Sequence, residues 1–390
     1  MLNSRILAIG TYVGALSLVP TLSALAAVTQ EKLNSMTTSS TALSTQIQLA
    51  ARPSGWPTHD DLRIVTVELG PLHPGEVRVA NAFISVDPYM RGRMNDTRSY
   101  VAPYALGERI TGGAIGRVVE SEDESLPVGT VVQHQHGWSD LIQANASTFH
   151  AVPERDGVPL SLSLHILGMT GLTAYVGLTR IAPVSAGDTV FISGAAGAVG
   201  TAAGQIARLL GAKRVIGSAG SAEKVRLLTE KYGYDIALNY KEAPIREQLA
   251  AAAPEGVDVY FDNVGGDHLE AALDVMNDNG RLALCGAIAG YNTAGPTPGP
   301  DNMMNVITRA LSIQGFTLAA HLDLSAEFGA RMAEWFAVGE IAYDETIVDG
   351  IENTVDAFLD MMRGGNTGKM LVRVEASEAT SVGTHGCELK

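Results

Sequence analysis

From Asp61 to about Phe149 the chain moves in short pieces that alternate apolar and polar residues or run rich in valine. "RIVTVEL", "GEVRVANAFISV", "GGAIGRVVES" and "GTVVQH" are the clearest, with turn residues between them. A period of two over such lengths is the pattern of half-buried strands, so this stretch reads as a mostly β unit. Near Leu164 the period lengthens, and "HILGMTGLTAYVGLTRIA" (165–182) reads as helix rich in small residues. From Asp188 apolar strand-like runs alternate with helical patterns. The runs are "TVFIS", "RVIGS", "IALNY", "VDVYFD", "GRLALCG" and "SIQGFT"; the helical patterns include "GTAAGQIARLLG" and "GDHLEAALDVMNDNG". Such alternation predicts an α/β fold with a doubly wound parallel sheet covered on both faces. After "AEFGARMAEWFAVGEI" the strand-like pieces "ETIVDG" and "KMLVRV" are expected to rejoin the first unit, and "EASEATSVGTHGCELK" reads as a flexible tail.

Composition narrows the chemistry. The chain has 390 residues, 46% hydrophobic and 18% charged, enough for two domains with buried cores. Its net charge of −15 disfavours nucleic acid, though not a local basic pocket for one phosphate. With two cysteines, Cys285 and Cys387, a disulfide framework and a four-cysteine zinc site are excluded. Cys285, in "RLALCG", reads as a packed small hydrophobe, and Cys387 as an exposed thiol of the tail. The first residues allow three readings. Residues 6–28 fit a secretory signal, with Ala24-Leu25-Ala26 as its cleavage site, or a membrane anchor weakened by Pro20. The favoured reading is a start placed too far upstream, with Met36 opening a cytoplasmic enzyme.

"SGAAGAVG" follows a strand and opens a helix. Gly197 and Gly200 take the second and third places of a G-x-G-x-x-G turn, with Ala195 in the first. Gly197 lets backbone approach a pyrophosphate, and Gly200 lets the helix pack on the strand. The helix N-terminus, at Ala198 and Val199, offers free N–H groups and partial positive charge. About twenty residues on, an NAD site places an acid against the ribose hydroxyls. This chain has "GSAGSAEK" instead. Ser218 and Ser221 donate hydrogen bonds and Lys224 brings positive charge, a set that attracts a 2′-phosphate. The cofactor expected is NADP(H).

These residues carry a resemblance. "AAGAVG", "GSAGSAEK", "NY", "FDNVGG", "CGAIAGYN" and "VDPYMRGRM" together resemble the zinc-independent medium-chain dehydrogenase/reductases, in the group of prostaglandin, alkenal double-bond and curcumin reductases. It covers roughly Ile47 to Val374. It implies a GroES-like β domain over 37–165, completed by 341–375, and a Rossmann domain over 166–340. An extension (1–36) and a tail (376–390) flank them. The family is commonly a homodimer paired through its Rossmann domains. The resemblance further implies that Lys224 and Tyr240 meet the adenosine phosphate, and that Asn263 sits by the cofactor ribose. It places Cys285, Gly286, Ala287, Ile288 and Tyr291 around the nicotinamide, with Phe316, Thr317 and Leu318, while Asn366 reaches in from the returning segment.

No metal is expected. Zinc alcohol dehydrogenases need a Gly-His-Glu where this chain reads "GERITGG", with Arg109 in the stretch. His134 and His136 lack a third ligand nearby, and His165 reads as a helix-end residue. Without zinc, the best-matched task is reduction of a C=C bond conjugated to a carbonyl. Tyr291 is expected to hold the carbonyl oxygen as an enolate forms, with the cofactor ribose, and Tyr89 to help from the opposite wall or only to fix a turn. Met90, Met94, Tyr100 and Tyr104 are expected to line an enone or enal pocket, with core packing open for each. The alternatives are a quinone or alcohol/ketone oxidoreductase of the same fold, and an NADPH-binding protein without turnover.

Overall fold

The computed structural model describes residues 42–295 and 297–374. Expectations about residues 1–36, the segment 6–28 and the tail 376–390, Cys387 included, lie outside them. Among the described residues no helix is long and apolar enough to cross a membrane.

Strands β1 (Ala42–Leu49) and β2 (Leu62–Leu69) pair in a sheet of their own. They are followed by β3 (Glu76–Ser85), helix α1 (Tyr89–Arg93), β4 (Ala114–Ser121), β5 (Val131–His134), β6 (Leu141–Asn145) and β7 (His150–Ala151). β3 is the organiser: it pairs antiparallel with both β4 and β6, and it is buried along most of its length. Val77, Val79, Val118, Val132 and Ile142 fill one side. Ile84, Met90, Met94, Trp138 and Phe358 fill the other.

Helix α2 (Met169–Val176) starts later than the small-residue pattern predicts and runs on into one π turn (Gly177–Ile181). A Cβ on Gly168 would lie 1.9 Å from the Ser163 carbonyl oxygen, so the chain turns tightly where the pattern suggests helix. The parallel sheet follows, built from β8 (Thr189–Ile192), α3 (Ala198–Leu209), β9 (Arg214–Ala219), α4 (Ala222–Glu230), β10 (Ile236–Asn239), α5 (Ile245–Ala252), β11 (Val257–Asp262), α6 (Gly266–Val275), β12 (Met276–Leu284), α7 (Met304–Thr308) and β13 (Ser312–Gly315). α8 (Ser325–Ala337) packs beside α2. The strand order is β10-β9-β8-β11-β12-β13, so the direction of winding reverses between β8 and β11 and opens a crevice at their carboxyl ends. One helical expectation ends early. Met276–Asn279 of "DVMNDNG" belongs to β12, because buried Met276 pairs with Val257 and Asn279 takes a φ of 62° that interrupts a helix.

The chain then returns through β14 (Glu345–Asp349), α9 (Thr354–Met362) and β15 (Lys369–Arg373). β15 pairs antiparallel with β3, giving a seven-stranded sheet of order β14-β15-β3-β4-β5-β7 with β6 on β3. The sheet organised by β3 is thus completed by the last strands.

Candidate functional site

The glycine turn between β8 and α3 is built by close packing. Gly194 takes a φ of 59°, and its carbonyl accepts from the Gly197 N–H at 3.1 Å. A Cβ on Gly200 would come within 2.5 Å of the Gly194 oxygen and 2.6 Å of Ala195 Cα, so only glycine lets α3 approach the strand. At Gly197 the nearest atom to such a Cβ is 3.4 Å away, which leaves the outer face of the turn open. No side chain caps α3. The first-turn N–H groups of Ala198, Val199 and Gly200 therefore remain available to an anion. The Gly194 position escaped sequence reading, which began the motif one residue later at Ala195. The loop before β15 closes the turn from the other domain, where the Gly368 N–H donates to the Ala196 carbonyl at 2.9 Å.

At the far end of β9 the cationic corner is richer than the sequence suggests. Lys224 Nζ donates to the Gly364 carbonyl at 2.8 Å, which leaves other N–H donors free. Burial lowers its pKa first, and the neighbouring Lys241 charge lowers it further. Lys241, directly after Tyr240, is a second cation that sequence reading missed; its signal was adjacency in "NYK". Ser221 caps α4, its hydroxyl accepting from the Lys224 N–H at 3.3 Å. Ser218 is fully buried in β9 and its hydroxyl accepts from Gly194, so it is turned away from the corner. Tyr240 is 40% exposed, with its ring edge-on to His268 at 5.1 Å. A Cβ on Gly220 would sit 2.7 Å from the Tyr240 hydroxyl, so that glycine makes room for the phenol.

The other end of the crevice gathers polar groups at the ends of β11 and β12. Asp262 is 1% exposed; one oxygen accepts from the hydroxyls of Ser193 and Tyr260 and the N–H groups of Val264 and Gly265. Asn263 donates to the Ser193 carbonyl at 2.8 Å, which ties β11 to β8 at the crevice. Past β12, Cys285 and Gly286 donate to the Asp262 carbonyl, and the chain turns through Ala287 and Ile288 to Tyr291. The Ala287 N–H points to the Tyr291 hydroxyl at 3.5 Å. A cavity of about 400 Å³ lies here, walled by Asp262, Cys285, Gly286, Tyr291, Pro298 and Pro300 among others. Burial pushes the Cys285 thiol up to about 12, with the Asp262 charge adding, so it stays protonated and unreactive at neutral pH. Burial likewise raises the Tyr291 phenol above its ordinary value, so it remains a proton donor. Phe316 packs edge-on to Phe261 at 6.4 Å; Thr317 and Leu318 lead out of β13 beside it. Asn366 lies in the loop before β15, its amide donating to the Gly368 carbonyl at 2.8 Å.

The facing wall comes from the β domain. "VDPYMR" turns into α1 over a buried cation: Lys369, 1% exposed, donates to the Val86 and Met370 carbonyls and lies 3.0 Å from Asp87. Ser85 also donates to Asp87. Burying this pair costs solvation, which the carbonyls and hydroxyl offset, and the result is a rigid platform for Tyr89. Burial raises the Tyr89 phenol, with the Asp87 charge second. Tyr100 is 66% exposed as a residue; burial of its phenol raises it above its ordinary value, and the neighbouring Tyr291 and Cys285 raise it further. Met90 and Met94 are fully buried in the core cluster, and Tyr104, 3% exposed, donates to the Thr111 carbonyl. These three form the base of the wall and Tyr89 and Tyr100 its face.

The histidines are committed elsewhere. His134 accepts from the His136 N–H at Nδ1 and meets Asn81 through Nε2; burial drops its pKa to about 3. His136 meets Thr148, and Arg109 donates to the His136 carbonyl. His165 is buried with Glu345 at 3.7 Å. Among the described residues no group of three or more His, Cys, Asp or Glu is placed to hold a metal ion.

Comparison with known proteins identifies the family. Residues 45–152 match a family model described as the N-terminal domain of oxidoreductase, and 198–337 match one described as zinc-binding dehydrogenase. YfmJ of Bacillus subtilis (strain 168) is 44% identical over 86% of this chain and 98% of its own. Prostaglandin reductase 1 of Bos taurus is 42% identical over 82% and 95%. The crystal structure of CurA from Vibrio vulnificus in complex with NADPH superposes with a TM-score of 0.81 at 36% identity, covering 85% of this chain and 100% of CurA. The chain belongs to the medium-chain dehydrogenase/reductase family, in the group of prostaglandin, curcumin and 2-alkenal reductases.

Proposed function

We propose that the protein is an NADPH-dependent reductase of C=C bonds conjugated to a ketone or aldehyde. The carrying observation is Tyr291, a phenol kept protonated by burial, on the loop that leaves β12 at the crevice and faces the wall of Tyr89 and Tyr100. NADPH fits the residues present: uncapped N–H groups at Ala198 to Gly200 for the pyrophosphate, and Lys224, Lys241 and Ser221 for the 2′-phosphate. Tyr240 flanks the adenosine side, Asn263 the ribose, and Cys285 to Ile288 with Phe316 to Leu318 the nicotinamide, while Asn366 reaches in from the loop before β15. When bound, NADPH supplies a hydride to the β-carbon.

The chain's own part is electrostatic. As negative charge reaches the carbonyl oxygen, Tyr291 donates a hydrogen bond to it, worth about 3 kcal/mol when aimed where charge develops. Tyr89, fixed by the Asp87–Lys369 platform, closes on the same oxygen from the other side. The α-carbon then takes its proton from Tyr291 or from water. The chemistry runs without zinc: His134 has both nitrogens engaged, and the Arg109 guanidinium repels a cation where an alcohol dehydrogenase has its ligands. Dialysis against a chelator should leave turnover unchanged.

The molecule works as a homodimer. Among the described residues β13 is an open sheet edge, and Met303, Met304 and Ile307 beside it are 49%, 65% and 75% exposed. Light scattering should give twice the chain mass. A cytoplasmic site of action follows from the need for reduced NADP. Incubation of NADPH with trans-2-alkenals and 3-nonen-2-one tests the function. Saturated carbonyl products support it. An unsaturated alcohol would point to carbonyl reduction, quinone-only turnover to a quinone reductase, and binding without turnover to a non-catalytic role.

A further inference from the structure

Arg91 is 2% exposed, and no carboxylate is among its hydrogen-bond partners. Its acceptors come from three separate pieces of chain. Nη1 donates to Asn95 Oδ1 at 2.8 Å, and Nη2 donates to the Pro53 and Gly55 carbonyls at 3.3 and 2.7 Å. Nε donates to Asn292 Oδ1 at 3.1 Å. Asn292 belongs to the loop after β12 and adjoins Tyr291, whereas Arg91 sits in α1, two residues past Tyr89. One guanidinium therefore joins the two walls of the site. Gly55 supports the joint: its φ of 81° brings backbone up to Asn292, whose carbonyl would lie 3.7 Å from a Cβ there.

We propose that Arg91 and Asn292 are positioning residues that hold the Tyr291 phenol in register with the carbonyl oxygen of the substrate. This rests on the role given to Tyr291 above. A planar fork of donors is needed to reach acceptors on three sides, and a lysine ammonium cannot replace it. Neutral acceptors take the place of a carboxylate, so the contact orients the loop without a charged lock.

The test compares Asn292→Ala, Asn292→Asp, Arg91→Lys and Tyr291→Phe in the full chain, with kcat on an enone, the NADPH Kd by fluorescence, and hydrogen exchange over residues 286–295. Asn292→Ala should lower kcat by roughly 10-fold or more, since small misplacements of a reacting group are costly. The NADPH Kd should not move, exchange in the loop should quicken, and Asn292→Asp should restore kcat by accepting the same bond. Arg91→Lys should follow Asn292→Ala where it folds. In the Tyr291→Phe background, Asn292→Ala should cost nothing further. Wild-type kcat with wild-type exchange in Asn292→Ala would overturn the inference, as would an equal loss in both backgrounds. If Tyr291→Phe itself keeps wild-type kcat, the Tyr291 role has failed, and loop exchange in Asn292→Ala alone then decides whether the clamp stands.

Discussion

Replacing Lys224 with alanine should weaken the preference for NADPH over NADH. The side chain reaches across from α4 to the loop before β15, where one N–H is held by the Gly364 carbonyl at 2.8 Å. An ammonium has three donors, so others remain for a 2′-phosphate. A hydrogen bond to a charged group contributes about 1.5–3 kcal/mol, which is a factor of roughly 10 to 150 in affinity. Lys241 stands close by and lowers the Lys224 pKa by repulsion. It keeps part of the attraction after the substitution, so the lower half of that range is expected for Lys224→Ala and the upper half for the double variant with Lys241→Ala. The NADH complex has no phosphate there and should be unaffected. The assay is kcat/KM for NADPH and for NADH at fixed enone and fixed salt, because part of the effect is screened. A loss confined to NADPH supports the corner as the phosphate site. An equal loss with both cofactors would mean that Lys224 acts by tying α4 to the Gly364 loop, and no loss would refute the reasoning.

Other consequences follow from packing and protonation. In Gly204→Ala the new methyl would lie 2.2 Å from the Tyr234 ring, which is 3% exposed and donates to the Gly200 carbonyl. Overpacking of this kind costs about 1–3 kcal/mol, so the urea midpoint should fall; an unchanged midpoint would mean that α3 shifts freely on β9. His134 is neutral when folded down to about pH 3, while its unfolded value is 6.5. Above 6.5 neither state is charged. Below it the unfolded chain takes up a proton that the folded ring refuses, so stability falls through that window by up to roughly 4 kcal/mol. His134→Gln should flatten the dependence of unfolding free energy on pH between those limits, and an unaltered slope would count against the burial of a neutral ring.

Much of the frame is legible in the sequence because each feature rests on a local physical need. The alternation of strand and helix from Asp188 onward leads directly to a parallel sheet, and "KMLVRV" has the strand character of β15. Gly197 and Gly200 announce the turn that opens α3, and at Gly200 helix backbone must approach strand backbone. The chain leaves other features unmarked because distant contacts create them. Gly194 carries the positive φ just outside the three-glycine template. Met276 is pulled into a strand by burial beside Val257, against the helical run of "LEAALDVM". Met90, Met94 and Tyr104 divide from Tyr89 and Tyr100 only once α1 is seated on Phe358 and Trp138, which settles in favour of packing what their residue types leave open. The links from Arg91 to Asn292 and from Lys369 to Asp87 span most of the chain, and no local spacing signals them.

The reaction itself is the point on which the rest depends. The most direct measurement is to incubate the protein with NADPH and an enone such as 3-nonen-2-one, follow cofactor oxidation by absorbance, and identify the product by mass spectrometry. The saturated ketone, formed with NADPH well ahead of NADH, is the predicted result. An allylic alcohol, or no product in the presence of bound NADPH, would contradict it.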